Sequence, residues 1–426
     1  MLTTRHSGAF FALVLSIVLS ACSTPADVTS TTDLEPQFGT RGYDEVTDVA
    51  YGKSLTLYAV GTWDRVNNYD YSLGSDAFVR RYDRNGNLIW ENFLDIEPAY
   101  ENDPYYENYT AILTARAVAV DGSSNAIVAW SAEYYENGNV VATFNYLTKY
   151  SSSGSKIWRV YTNGALNDVA TDSSGNIYAI SGSSLIKYTS GGSQSWSRSQ
   201  PSPDGVTVSS SNNVYIVRED GAVVKFNGSG TQLYLKTGQL DGYIEGGALD
   251  RGEPYKIAAG LSDELYVADS RYNFTSYGCD AGIYADNYTM RLFKLSNTGT
   301  RQWVKDAASG AIGEPTCEGS ELIFLSGLGV ASDTSGNAYI AGYQSGSGYY
   351  NQDGFIAKYS RAGALSWKKG FGTSRDDTAT SVATYDGSEV FMGGVTQGFL
   401  VHRQLGGSGD AVIREVNSSG TLSWAR

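Results

Sequence analysis

YSRAGALSW (359–367) sets an aromatic residue, a glycine four positions on and a tryptophan four beyond that, and the same frame returns along the chain. Its other copies are YDRNGNLIW (82–90), YSSSGSKIW (150–158), YTSGGSQSW (188–196), FNGSGTQLY (226–234), LSNTGTRQW (295–303) and VNSSGTLSW (416–424). Glycine holds one position throughout: Gly86, Gly154, Gly192, Gly230, Gly299, Gly363 and Gly420. A tight hairpin turn needs a residue at positive φ, which glycine adopts without steric cost. The ring four residues later can bury a large surface on a neighbouring sheet. The frame therefore reads as a hairpin joining the last two strands of a repeated sheet.

A second pattern lies upstream of each copy: an apolar pair such as Val-Ala, a turn, then a β-branched or aromatic strand. It begins at Val49, Val118, Val169, Val206, Ile257, Val330 and Val382, most clearly in DVATDSSGNIYAISG (168–182) and GVASDTSGNAYIAGY (329–343). Each unit thus has four strands, A to D, and seven such units in series predict an all-β fold, a seven-bladed β-propeller of four-stranded antiparallel blades. A linear β-solenoid is the alternative, and the chain ends argue against it. LSWKKGFGTSRDDTATSVA (365–383) joins one Trp strand to the next A strand; the chain ends in LSWAR (422–426), and its folded part opens with QFGTRGYDEVTDVA (37–50). Head and tail are halves of one junction, so the ring is expected to close between the N- and C-terminal strands, removing exposed sheet edges.

From Val330 to Asp377 the pieces Asp-x-Ser-Gly-Asn-x-Tyr, Asp-Gly-Phe-Ile-Ala-Lys-Tyr and Trp-x-x-x-Phe-Gly resemble the SBBP repeats of seven-bladed propellers in bacterial surface proteins. The likeness is strong there, recognisable in the first and last units and faint in the fourth and fifth. It implies a fold and an extracytoplasmic setting, and no single activity.

The N-terminus bears on location. Arg5 followed by AFFALVLSIVL (9–19) has the form of a signal peptide, expected over residues 1–21. Leu19-Ser20-Ala21-Cys22 resembles the lipobox of bacterial lipoproteins, which implies lipidation of Cys22. Residues 22–36 are then a lipidated cysteine and a small, polar, acidic tether too poor in apolar residues to order itself. The expectation is a membrane-anchored, extracytoplasmic protein, at the cell surface or on the periplasmic side of the outer membrane, with the propeller at 37–426.

Lys or Arg precedes the aromatic residue in most frames: Arg81, Lys149, Lys187, Lys225, Lys294 and Lys358, with Glu415 in the last. A residue tied to one repeat position serves the blade itself, for instance by pairing with turn carboxylates such as Asp172 and Asp333. Up-and-down sheets put the short A–B and C–D turns on one face and the B–C and D–A connections on the other. That second face carries the elaborations: 63–76, 131–139, 269–288 and 343–353 between B and C, 97–110 and 306–323 between D and A. Long loops on a rigid scaffold are where binding residues collect. These are rich in Tyr, Asn, Asp and Gly, a mixture suited to contact surfaces. Tyr69, Tyr71, Tyr100, Tyr105, Tyr106, Tyr134, Tyr135, Tyr349 and Tyr350 are the candidate contacts for an envelope protein or a glycan.

Cys279 and Cys317 fall on the same face of neighbouring blades and are candidates for a disulfide in an oxidising compartment. Catalytic material is thin. His402 is the only histidine beyond the signal segment, so a histidine-based triad or zinc site has little to build on. No cofactor and no metal are expected, although calcium could bind the loop at 64–76. A net charge of −14 argues against nucleic acid as a partner. Binding through the loops is the primary expectation. The alternatives are a propeller enzyme and an assembly scaffold. The enzyme would act through an acidic pair on a glycosidic bond or through a bound quinone, since the Gly-x-x-x-Trp turns also resemble the tryptophan-docking repeats of quinone-dependent dehydrogenases. The scaffold would be similar to the propeller lipoprotein of the outer-membrane barrel-assembly machinery.

Overall fold

The computed structural model describes residues 43–52, 55–64, 74–95, 110–240, 249–251, 255–276, 283–311, 328–345, 352–398 and 409–426. Apart from one short 3-10 turn at Leu261–Asp263, the described elements are β-strands in six sheets whose antiparallel strands follow one another in chain order. The largest sheet consists of two four-stranded ladders. Asp44–Gly52, Thr56–Asp64, Ser75–Tyr82 and Leu88–Leu94 make the first; Thr110–Val120, Ala126–Glu136, Asn139–Tyr150 and Lys156–Thr162 make the second. A single parallel pair, Ser75 with Ile112, couples them. The later ladders span 166–199, 203–236, 249–311, 329–371 and 377–425, each again four strands deep, except that the first strand of the fifth is split into Leu249–Arg251 and Lys256–Ala259.

The turns explain why these residues fold locally. In the third ladder Asp172 Oδ1 accepts the backbone N–H groups of Ser174 and Asn176, each at 2.9 Å, and its Oδ2 accepts Asn176 Nδ2 at 2.8 Å. Asp121 with Asn125 and Asp333 with Asn337 repeat the arrangement. An aspartate that satisfies its own turn competes with any continuous strand, so the chain reverses there.

The cores lie between consecutive ladders. Second strands such as Ile177–Ser181 are buried along their whole length, because each face meets a neighbouring ladder. Tyr58, Tyr178, Tyr215, Tyr266 and Tyr339 are fully enclosed there, and burying a large side chain contributes about 1.5–3 kcal/mol. One such core joins the seventh ladder to the first: Ala383, Phe391, Ala411, Ile413 and Trp424 pack with Val46, Val49, Leu57 and Phe78.

Each expected loop overlaps a strand at one end or both. The segment 131–139 is almost entirely hairpin: strands run to Glu136 and from Asn139, leaving Asn137 and Gly138, at φ 49° and 79°, as the turn. Asn-Gly is the dipeptide a two-residue hairpin turn demands, and the Tyr, Val and Thr around it favour strand. The segment 269–288 likewise lies largely in the strands Leu265–Ser276 and Ile283–Leu295, and Arg301–Ala311 enters the expected loop at 306–323. Among the described residues no helix is long and apolar enough to cross a membrane.

Candidate functional site

Each ladder is locked to the next by the repeated frame. The Trp158 indole donates to the carbonyl of Ser190 in the following ladder at 3.1 Å, and Lys149 donates to the same carbonyl at 3.2 Å. Trp196 and Lys187 share Gly228 in the same way, at 3.3 and 2.8 Å, and Trp303 and Lys294 share Arg361, at 3.3 and 3.0 Å. The ring lies on the next turn glycine: a Cβ built at Gly192 would fall 3.0 Å from the Trp158 indole. Lysine also pairs with a turn carboxylate of its own ladder or the next. Lys149 meets Asp121 at 2.8 Å, Lys187 meets Asp172 at 4.0 Å, Lys225 meets Asp263 at 3.4 Å, Lys294 meets Glu264 at 3.1 Å and Lys358 meets Asp333 at 3.8 Å. The repeated cations are therefore committed to the frame.

Two of the tyrosines chosen from the sequence fall in the described structure. Tyr134 is 4 % exposed and packs edge-on against Phe144, with ring centroids 5.8 Å apart, so it belongs to the core between the first two ladders. Tyr135 points the other way and donates its hydroxyl to Glu133 at 2.9 Å. Tyr69, Tyr71, Tyr100, Tyr105, Tyr106, Tyr349 and Tyr350 lie outside the described residues, as do Cys22, Cys279, Cys317 and His402.

The structure gathers a different set of charges. First strands from every ladder line one cavity of about 280 Å³. Asp48, Asp168, Lys256 and Ser381 reach it from the position immediately before the inner Val or Ile. Asp168 accepts the N–H groups of Val169 and of Val206 in the next ladder, both at 2.8 Å. Asp48 does the same with Val49 and Val118, both at 2.8 Å, and takes the Ser381 hydroxyl at 2.6 Å. Burial pushes the Asp168 carboxyl up to about 6, against the pull of Lys256 and the two N–H groups. Burial raises Asp48 as well, again opposed by Lys256, Ser381 and the backbone donors. The two carboxylates thus bridge inner strands and also present charge to the channel. Among the described residues no group of three or more His, Cys, Asp or Glu is arranged to hold a metal ion.

The sequence did carry a signal for this set. Read down the repeats, the residue before the inner Val or Ile is Asp48, Ala117, Asp168, Gly205, Lys256, Gly329 and Ser381, a column otherwise small that admits three charges.

Fold and repeat together define the class as a β-propeller repeat protein. Residues 75–253 match the family model described as outer membrane protein assembly factor BamB. No curated protein matches the chain. Similar solved structures include BamB from Moraxella catarrhalis, 13 % identical, covering 92 % of this chain and 90 % of that one with a TM-score of 0.40. The WD40 β-propeller domain of Doa1 is 11 % identical over 85 % of this chain and 94 % of that one, at a TM-score of 0.46. Raptor from Chaetomium thermophilum is 7 % identical over 91 % of this chain and 30 % of that one, at 0.52.

Proposed function

We propose that this chain is a lipid-anchored scaffold of the bacterial envelope, in which residues 37–426 form a seven-bladed propeller, closed between its first and last blades, that holds an envelope protein on one face. The observation that carries the reading is the hairpin of the second ladder, whose tip exposes Val140 by 51 % and Val141 by 44 %. Its strands have 11 and 12 residues where the second and third strands of the third ladder have five. At about 3.3 Å per residue the surplus projects roughly 20 Å. Apolar side chains held out on a rigid element suit a protein partner better than a soluble glycan. The family match across residues 75–253 includes this hairpin and supports the envelope setting.

Closure is supported by the core shared between the seventh and first ladders and by the cavity to which every ladder contributes. The lipobox-like Leu19-Ser20-Ala21 before Cys22 supports the anchor. The Tyr-rich loops around Tyr69, Tyr71, Tyr100, Tyr105, Tyr106, Tyr349 and Tyr350 would extend the contact.

The test is site-specific photo-crosslinking of the full chain in its own envelope. A crosslinker at Val141 is expected to give one discrete adduct with an envelope protein, and a crosslinker at Ser174, on the opposite face, is expected to give none. Equal labelling from both positions, or none from either, contradicts the reading. Palmitate labelling that disappears in Cys22→Ser tests the anchor separately.

A further inference from the structure

The central channel holds charge that the frame does not use up. Each Asp168 oxygen takes one backbone N–H and keeps capacity for a further donor facing the cavity. Lys256 lines the same cavity, and among the described residues its ammonium makes no hydrogen bond or close ion pair; it meets Asp48 and Asp168 through space only. The other polar side chains there are occupied: Ser381 with Asp48, Thr207 with the N–H of Ala259, Thr171 with the carbonyl of Val120. The exposed lining is mostly polar, because the neighbouring Val49, Val118, Val169, Val206 and Ile257 turn into the cores between ladders.

Charge signs narrow the ligand. A simple cation would answer the two carboxylates but leave the Lys256 ammonium without an acceptor. A simple anion would answer Lys256 while facing both carboxylates. A neutral polyol can satisfy all three, though with bonds roughly half as strong as charge-assisted ones. A molecule carrying both an ammonium and a carboxylate supplies each group with its opposite and adds no net charge to an enclosed site, where direct pairing counts most.

We propose that the channel is a binding site for a small zwitterion of amino-acid size, its ammonium received by Asp168 and Asp48 and its carboxylate by Lys256. The site is separate from the hairpin face and stands independently of the partner reading.

Calorimetric titration of the full chain in detergent tests it with four probes: valine, isobutylamine (which lacks the carboxylate), 3-methylbutanoate (which lacks the ammonium) and glucose. Valine is expected to bind saturably, with the two single-charge analogues and glucose at least tenfold weaker. Lys256→Met is expected to reverse the order, so that isobutylamine overtakes valine. That gain does not arise from mere loss of folding, and the wild-type series decides the matter even if the variant fails to fold. The proposal is overturned if valine binds no better than isobutylamine, if glucose binds in its place, or if none of the four binds.

Discussion

The indole of Trp424 lies over Gly86, more than three hundred residues earlier in the chain: a Cβ built at Gly86 would fall 2.7 Å from the indole Cδ2, and the indole N–H donates to the Arg84 carbonyl at 3.1 Å. The same contact recurs between Trp90 and Gly154, Trp158 and Gly192, Trp196 and Gly230, Trp303 and Gly363, and Trp367 and Gly420, with Tyr234 on Gly299 in the remaining place. Arg426 reinforces the last junction by donating to the Gly86 carbonyl at 2.8 Å. The glycines are thus constrained twice, by a positive φ and by a ring resting on them.

The two constraints can be separated. Gly138 has φ 79° and no atom within 4 Å of a built Cβ, so Gly138→Ala is expected to cost only the backbone term, about 1 kcal/mol. Gly86→Ala carries that term and also drives a methyl into Trp424, for a total of about 3 kcal/mol. Urea unfolding of both variants checks the difference; equal costs would mean that the Trp424 contact is loose.

Lys149 and Asp121 meet at 2.8 Å with each side chain only 5 % exposed. Removing one partner leaves a buried charge, so Lys149→Met is expected to lose about 3–5 kcal/mol. Adding Asp121→Asn should recover part of that loss, and a double-mutant cycle by denaturant unfolding measures how much. Lys187→Met, whose aspartate is 4.0 Å away, should lose less.

The Asp168 carboxyl, pushed up to about 6 by burial, holds a proton in the folded state that the unfolded chain, with an ordinary value of 3.8, releases earlier. Its contribution to stability is therefore full below pH 4 and falls as the pH rises through 6, by an amount on the order of 3 kcal/mol. The cost of Asp168→Ala should accordingly be larger at pH 4.5 than at pH 7.5. Melting curves of wild type and variant at the two values test the sign; the opposite ordering would mean that Asp168 is stabilised as a carboxylate.

Val140 and Val141 touch little of the frame, so replacing both with serine is expected to change unfolding by less than about 0.5 kcal/mol. The same pair of changes should abolish the crosslink from the neighbouring Tyr135 to the envelope partner. A retained crosslink would move the contact surface away from the hairpin tip.

The frame was legible in the sequence because each of its parts answers a local demand: Gly86 and its counterparts a turn, Asp172 and Asp333 their own backbones, the Trp strand a burial surface. The hairpin of the second ladder is hidden in the sequence because Tyr134, Tyr135 and Asn137 suit loops and strands alike. Once the strand is seen, alternation sends Tyr134 inward and Tyr135 outward, so the two cannot share a ligand. Asp48, Asp168 and Lys256 went unread for another reason. They are single residues from three ladders, and only the long-range arrangement of those ladders around a common channel brings them together.

An experimental structure of residues 37–426 bears most directly on the closed ring. The account predicts seven four-stranded ladders around one channel, with the Trp424 indole N–H on the Arg84 carbonyl near 3.1 Å. A different number of ladders, or a Trp424 ring standing free of Gly86, would contradict it.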